Sequence, residues 1–162
     1  MSKVTMDKQI DVLLQTIDRY WNQAIQIEIQ RTNFTNFMLL LVGAVQGYIV
    51  QRQFDKFSMI LSIVIIILGI FGLIVTSKYY ERFREQTSKV GRLMEKINEI
   101  EPNINLDELE LKANLKHSKN FPILIKIRLN KLWQFLYIFL TVLGIVNFLV
   151  IVLDLYTKLS LE

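Results

Sequence analysis

The sequence predicts an all-α membrane protein with three transmembrane helices, an N-terminal amphipathic helix and a cytoplasmic helical hairpin between spans two and three. Three observations carry this prediction. Of 162 residues, 52% are hydrophobic and only 21% are charged. The apolar residues gather in three blocks, Phe34 to Val50, Ser58 to Val75 and Trp133 to Leu153, of 17, 18 and 21 residues. Lysine and arginine are spread very unevenly around those blocks. A soluble enzyme of this size would distribute its apolar residues along amphipathic elements instead, so that class is nearly excluded.

Four regions follow: an N-terminal arm (1–33), a two-span hairpin (34–77), a cytoplasmic hairpin (78–131) and a third span with a short external tail (132–162). The arm reads as one amphipathic helix, because Met6, Ile10, Leu13, Ile17, Tyr20, Ala24 and Ile27 recur at spacings of four and three. Val12, Leu14, Trp21, Ile25 and Ile29 widen the apolar face, so another helix or a lipid surface is expected to cover it. Residues 1–33 carry four acids and no compact apolar run, which argues against a cleaved signal peptide.

Hydrocarbon about 30 Å thick takes roughly 20 helical residues. The third block spans it comfortably and the first two narrowly. The strictly apolar part of the first, Phe37 to Val50, has 14 residues, and a re-entrant segment is the alternative there. Between Lys78 and Lys131 stand twelve basic residues, and the arm adds Lys3, Lys8, Arg19 and Arg31; the turn around Arg52 and Lys56 and the tail at Lys158 hold the other three. This positive-inside bias predicts a cytoplasmic N-terminus and an external C-terminus.

After the second span the helix is expected to run on through Phe83, Thr87, Val90, Met94 and Ile97 until Pro102 stops it. Asn105 and Glu108 have capping-box spacing for a further helix with Leu106, Leu109, Ala113 and His117 on one face. Pro122 suits the first turn of the helix that leads into the third span. Ile10, Leu13, Ile17, Val90, Met94 and Ile97 are the expected partner or oligomer interface.

Small and polar residues inside the spans fall on seams. In the second, Ser58, Ser62, Ile65, Gly69, Gly72 and Thr76 follow spacings of 4, 3, 4, 3 and 4. In the first, Thr32, Asn36, Leu39, Gly43, Gln46 and Val50 keep that rhythm, and Gly43 with Gly47 makes a close-approach pair. The third offers Gln134, Tyr137, Thr141 and Gly144, with Asn147 and Asp154 at the adjacent edge. These seams either pack helices or line a pathway for ions in a homo-oligomer, since three short spans enclose too little volume alone.

No chemistry is legible. The chain has no cysteine and a single histidine, so zinc and thiol sites are excluded, and no cofactor or metal is expected. Lys112 and His117 resemble only in spacing the arginine–histidine signature of the HEPN ribonuclease fold, and a lysine does not reproduce the arginine fork. Nucleotide loops and nucleophile motifs are absent, and no direct nucleic-acid contact is expected.

The amphipathic helix, the tight two-span hairpin and the helix leaving the membrane at Lys78-Tyr79-Tyr80-Glu81-Arg82-Phe83 resemble the SLATT-type small membrane effectors of bacterial anti-phage systems, over residues 5 to 101. The third span departs from the simplest two-span members. The resemblance implies an oligomer that permeabilises or depolarises the inner membrane once a partner protein or a nucleotide signal reports infection. The rival expectation is a non-conducting scaffold that holds a cytoplasmic partner at the lipid bilayer.

Overall fold

The computed structural model describes residues 3–102 and 106–160, all of whose regular structure is helical. Helix α1 runs unbroken over Lys3–Gln51, α2 over Lys56–Ile100, α3 over Leu106–Asn120 and α4 over Leu129–Ser160; a single 3-10 turn, Leu124–Lys126, precedes α4. Three of these, α1, α2 and α4, are long and apolar enough to cross a membrane. The 49 residues of α1 contain most of the N-terminal arm and the first apolar block without a break between them.

Helix ends follow local chemistry. Beyond Gln51, Gln53 and Phe54 take left-handed backbone angles, φ 53° and 59°, which reverses the chain within four residues. Asp55 then caps α2, accepting hydrogen bonds from the backbone N–H and the hydroxyl of Ser58, each at 2.9 Å. Backbone donation from Ser58, then from its hydroxyl, with Arg52 nearby, holds the Asp55 carboxyl below the ordinary carboxylate range against a smaller opposing effect of desolvation. Helix α2 stops two residues before Pro102, as the sequence suggests. Pro122 lies in a turn rather than in the first turn of a helix, and α4 begins only at Leu129. The expected cap Asn105 and the side chains of Met6 and Leu106 lie outside the described residues.

The chain divides into two compact units. One comprises the chain up to Ile29 together with Tyr79–Arg128; the other, Gln30–Lys78 with Leu129 onward. In the first, Ile17, Val90 and Ile97 form a buried cluster with Leu13, Tyr20 and Leu93 packed against it, so the arm's seam is covered by the continuation of α2. Met94 is 45% exposed, and it is Leu93 that joins this cluster. From Glu108 to His117 the side chains of α3 are exposed, including Leu109 on its expected apolar face.

The second unit is a bundle of α1, α2 and α4, here termed the membrane unit. Its core is Met38, Val42 and Ile49 from α1, Ile65 from α2, and Tyr137 and Leu140 from α4. Burial of these side chains is worth roughly 1.5–3 kcal/mol each in water. In a bilayer that term fades, and close fit between helices takes its place.

Candidate functional site in the membrane unit

The seam of α2 is turned entirely inward: Ser58, Ser62, Ile65, Gly69, Gly72 and Thr76 are all buried. Three glycines set how near α4 comes. A β-carbon on Gly69 would meet the Thr141 hydroxyl and the Thr141 backbone nitrogen, the latter at 2.8 Å. One on Gly72 would collide with the Tyr137 ring, and one on Gly144 would lie 2.9 Å from the Ile66 backbone nitrogen and 3.0 Å from the Ser62 carbonyl. These residues bring α2 and α4 to backbone contact, the role small residues take where lipid supplies no hydrophobic drive.

Polar contacts bind α1 into the same bundle. Tyr137 donates its hydroxyl to Thr35 Oγ1 at 3.0 Å, wholly buried. Near it Gln134 Nε2 donates to Ser77 Oγ at 3.3 Å, and the Arg31 guanidinium lies 5.3 Å from the centre of the Trp133 ring. Arg31 is 2% exposed, although in the sequence it counts only as one more base of the arm. Farther along, Asn147 Nδ2 donates to Gln46 Oε1 at 2.6 Å. The Thr76 hydroxyl, the Asn130 side-chain oxygen and the Trp133 ring nitrogen are buried without a hydrogen-bond partner among the described residues. Such groups are uncommon in proteins and point to water or to a second conformation.

The inward stripe of α1 is displaced by one position from the seam read in the sequence. Arg31, Thr35, Met38, Val42 and Ile49 are buried and Val45 half-buried, whereas Thr32, Asn36, Leu39, Gly43 and Val50 are exposed. Of the expected seam only Gln46 turns partly inward, to meet Asn147. Gly43 and Gly47 have open space where a side chain would stand. The structure therefore brings together Gln46, Ser62, Gly69, Gly72, Thr76, Thr141, Gly144 and Asn147 and leaves Asn36, Gly43 and Gly47 on the outer face of α1. Thr35 and Arg31 escaped notice because glycine and glutamine draw attention to the neighbouring stripe. The bulk of Met38, Val42 and Ile49, one residue away, was the signal for the inner one.

Among the described residues no group of three or more His, Asp or Glu is placed to hold a metal ion. In the other unit a groove of about 510 Å³ is lined by Lys8, Gln9, Val12, Leu13, Lys96 and Ile100. No protein-family profile, no curated protein and no solved structure matches the chain.

Proposed function

We propose that the protein assembles in the bacterial inner membrane into an oligomer that permeabilises it, an effector gated through its cytoplasmic helices. The observation that carries this reading is the outer face of α1, where Asn36, Gly43 and Gly47 look away from their own bundle. Acyl chains offer nothing to a carboxamide, and a pair of glycines four apart is suited to close contact with another helix. A ring of copies meeting there sets Asn36 around a shared axis. The buried polar groups at Thr76, Asn130 and Trp133 support the same reading, since water admitted between helices would satisfy them. The resemblance to SLATT-type effectors gives the setting, defence against phage, with a partner protein or nucleotide signal as the trigger.

The test is ion flux from liposomes holding the purified protein. Gly43→Leu with Gly47→Leu should leave folded single chains that no longer assemble or conduct. Asn36→Leu should assemble and fail to conduct. Liposomes that remain sealed with the unaltered protein under every condition tried reject the proposal. Gly69 is unsuited to such a test, because a side chain there disrupts the bundle itself.

A second reading, the non-conducting scaffold, is favoured by one feature of the arm. Trp21, Ile25 and Ile29 remain 49%, 43% and 53% exposed after Ile17 and Ala24 have been buried. On that reading Trp21→Glu frees a cytoplasmic partner from the membrane fraction, and Asn36→Leu has no effect.

A further inference from the structure

The segment between α3 and α4 combines two properties that rarely share a surface. Phe121, Ile123, Leu124, Ile125 and Ile127 are 45%, 73%, 63%, 48% and 47% exposed, a run of large apolar side chains left in the open. Lys116 and Lys119 precede this run, Lys126 lies within it and Arg128 follows it, and all four are exposed as well. No acidic residue occurs between Glu110 and Asp154. Exposed apolar runs of this size mark an interaction surface, and the bases with no acid among them give it one sign of charge.

Chain geometry states what lies beside it. Arg128 is joined directly to Leu129, the first residue of α4, a helix long and apolar enough to cross a membrane. At no more than about 3.6 Å per residue, Ile127 and Arg128 lie within about 7 Å of Leu129. The 3-10 turn Leu124–Lys126 and the extended Ile127 give this part of the chain no regular apolar stripe that a partner helix would match. Fluid acyl chains need no such match. Long basic side chains can lie along the bilayer boundary with their charged ends at headgroup level.

We propose that residues 116–128 are a docking site for anionic phospholipid. Lys116, Lys119, Lys126 and Arg128 meet headgroup phosphates, while Phe121, Ile123, Leu124 and Ile127 enter the boundary between headgroups and acyl chains. The site holds α3 at the bilayer surface, and it does so whether or not the protein conducts.

The absence of cysteine allows a direct measurement on the full-length protein. A nitroxide attached at Ile123→Cys reports its depth by comparing accessibility to oxygen and to a water-soluble nickel chelate. In vesicles of phosphatidylcholine mixed with phosphatidylglycerol the label should be shielded from nickel and open to oxygen; in pure phosphatidylcholine it should return toward water. Each of Lys116→Gln, Lys119→Gln, Lys126→Gln and Arg128→Gln should lower the docked-to-free ratio about fivefold, and added salt should act in the same direction.

Four results overturn the proposal. The label remains in water in both kinds of vesicle. It enters both equally, which would be apolar insertion without headgroup recognition. Soluble glycerol phosphate displaces it, which would mark a site for free anions. Its line shape is that of a nitroxide immobilised in a packed contact in both kinds of vesicle, which would mean that protein covers the segment. The comparison between the two lipids uses no charge variant, so a variant that fails to fold does not spoil it.

Discussion

Asn147 on α4 donates a hydrogen bond of 2.6 Å to Gln46 on α1, joining two carboxamides that stand 101 positions apart in the chain. Both lie among apolar side chains and glycines, between Val42 and Val50 on α1 and between Val142 and Ile151 on α4, where an isolated amide has poor alternatives. Gln46→Leu and Asn147→Leu should each destabilise the bundle, with a coupling of about 0.6 kcal/mol and at most about 1.7 kcal/mol. The double variant should recover much of the loss. A double-mutant cycle from reversible unfolding in mixed micelles measures this, and strictly additive losses would show that the bond contributes nothing.

Glycines on the two sides of the bundle should behave in opposite ways. Gly69→Ala and Gly144→Ala force a β-carbon against backbone atoms 2.8 to 3.0 Å away, which side-chain adjustment cannot relieve. A loss of about 1–3 kcal/mol is expected, the usual effect of overpacking. Gly43→Ala and Gly47→Ala meet open space and should stabilise the single chain by up to about 1 kcal/mol through helix propensity. Thermal unfolding in detergent separates the two pairs, and cross-linking tells whether the second pair weakens self-association.

The seam between the arm and α2 gives a third contrast. Val90 is buried against Ile17, whereas Met94, one turn on, is 45% exposed. Val90→Asp should disorder this unit, since an unpaired buried charge is untenable. Met94→Asp should stay within about 0.5 kcal/mol of the original. Hydrogen exchange of the α1 amides around Ile17 reports both outcomes, and equal protection in the two variants would contradict the packing described.

The turn between α1 and α2 holds Gln53 in left-handed backbone with φ 53°. A side chain there is strained by about 1–2 kcal/mol. Gln53→Gly should therefore raise the melting temperature slightly, even after allowing for glycine's extra freedom in the unfolded chain. Phe54→Gly relieves a similar angle, φ 59°, but should lower it, because Phe54 packs against the membrane-unit core.

Asp55 makes the same turn sensitive to acid. Its folded carboxyl is held low, so the cap it forms on Ser58 is fully present above the ordinary carboxylate value and is lost as pH falls through the lowered folded one. Melting temperature should decline on acidification below about pH 4. In Asp55→Asn, which caps without titrating, that decline should shrink; an unchanged pH profile would assign the acid sensitivity to other groups.

Much of this architecture was legible in the residues. Uninterrupted apolar blocks specify helices of spanning length, and Pro102 marks where α2 must end. The seam of α2 was visible because serine, glycine and threonine contrast sharply with the isoleucines around them. On α1 that contrast misleads: Asn36 and Gly43 stand out, yet bulky Met38, Val42 and Ile49 fill the space between helices. Which of two adjacent stripes turns inward depends on the shape left by α2 and α4, and spacing within α1 alone does not contain it. The Arg31–Trp133 and Thr35–Tyr137 contacts join residues about a hundred positions apart and leave no local pattern.

The buried stripe of α2 keeps alternate steps of four and three from Ser58 through Val90 to Ile97, whereas α1 takes two steps of four in succession, from Ile27 to Arg31 to Thr35. Such a stutter turns a helix's stripe by about 40°, because four residues at about 100° each overshoot one turn by that much. Plain alternation would return with the loss of four residues and not of one: a single deletion between Glu28 and Gln30 would leave two successive steps of three in place of the two steps of four.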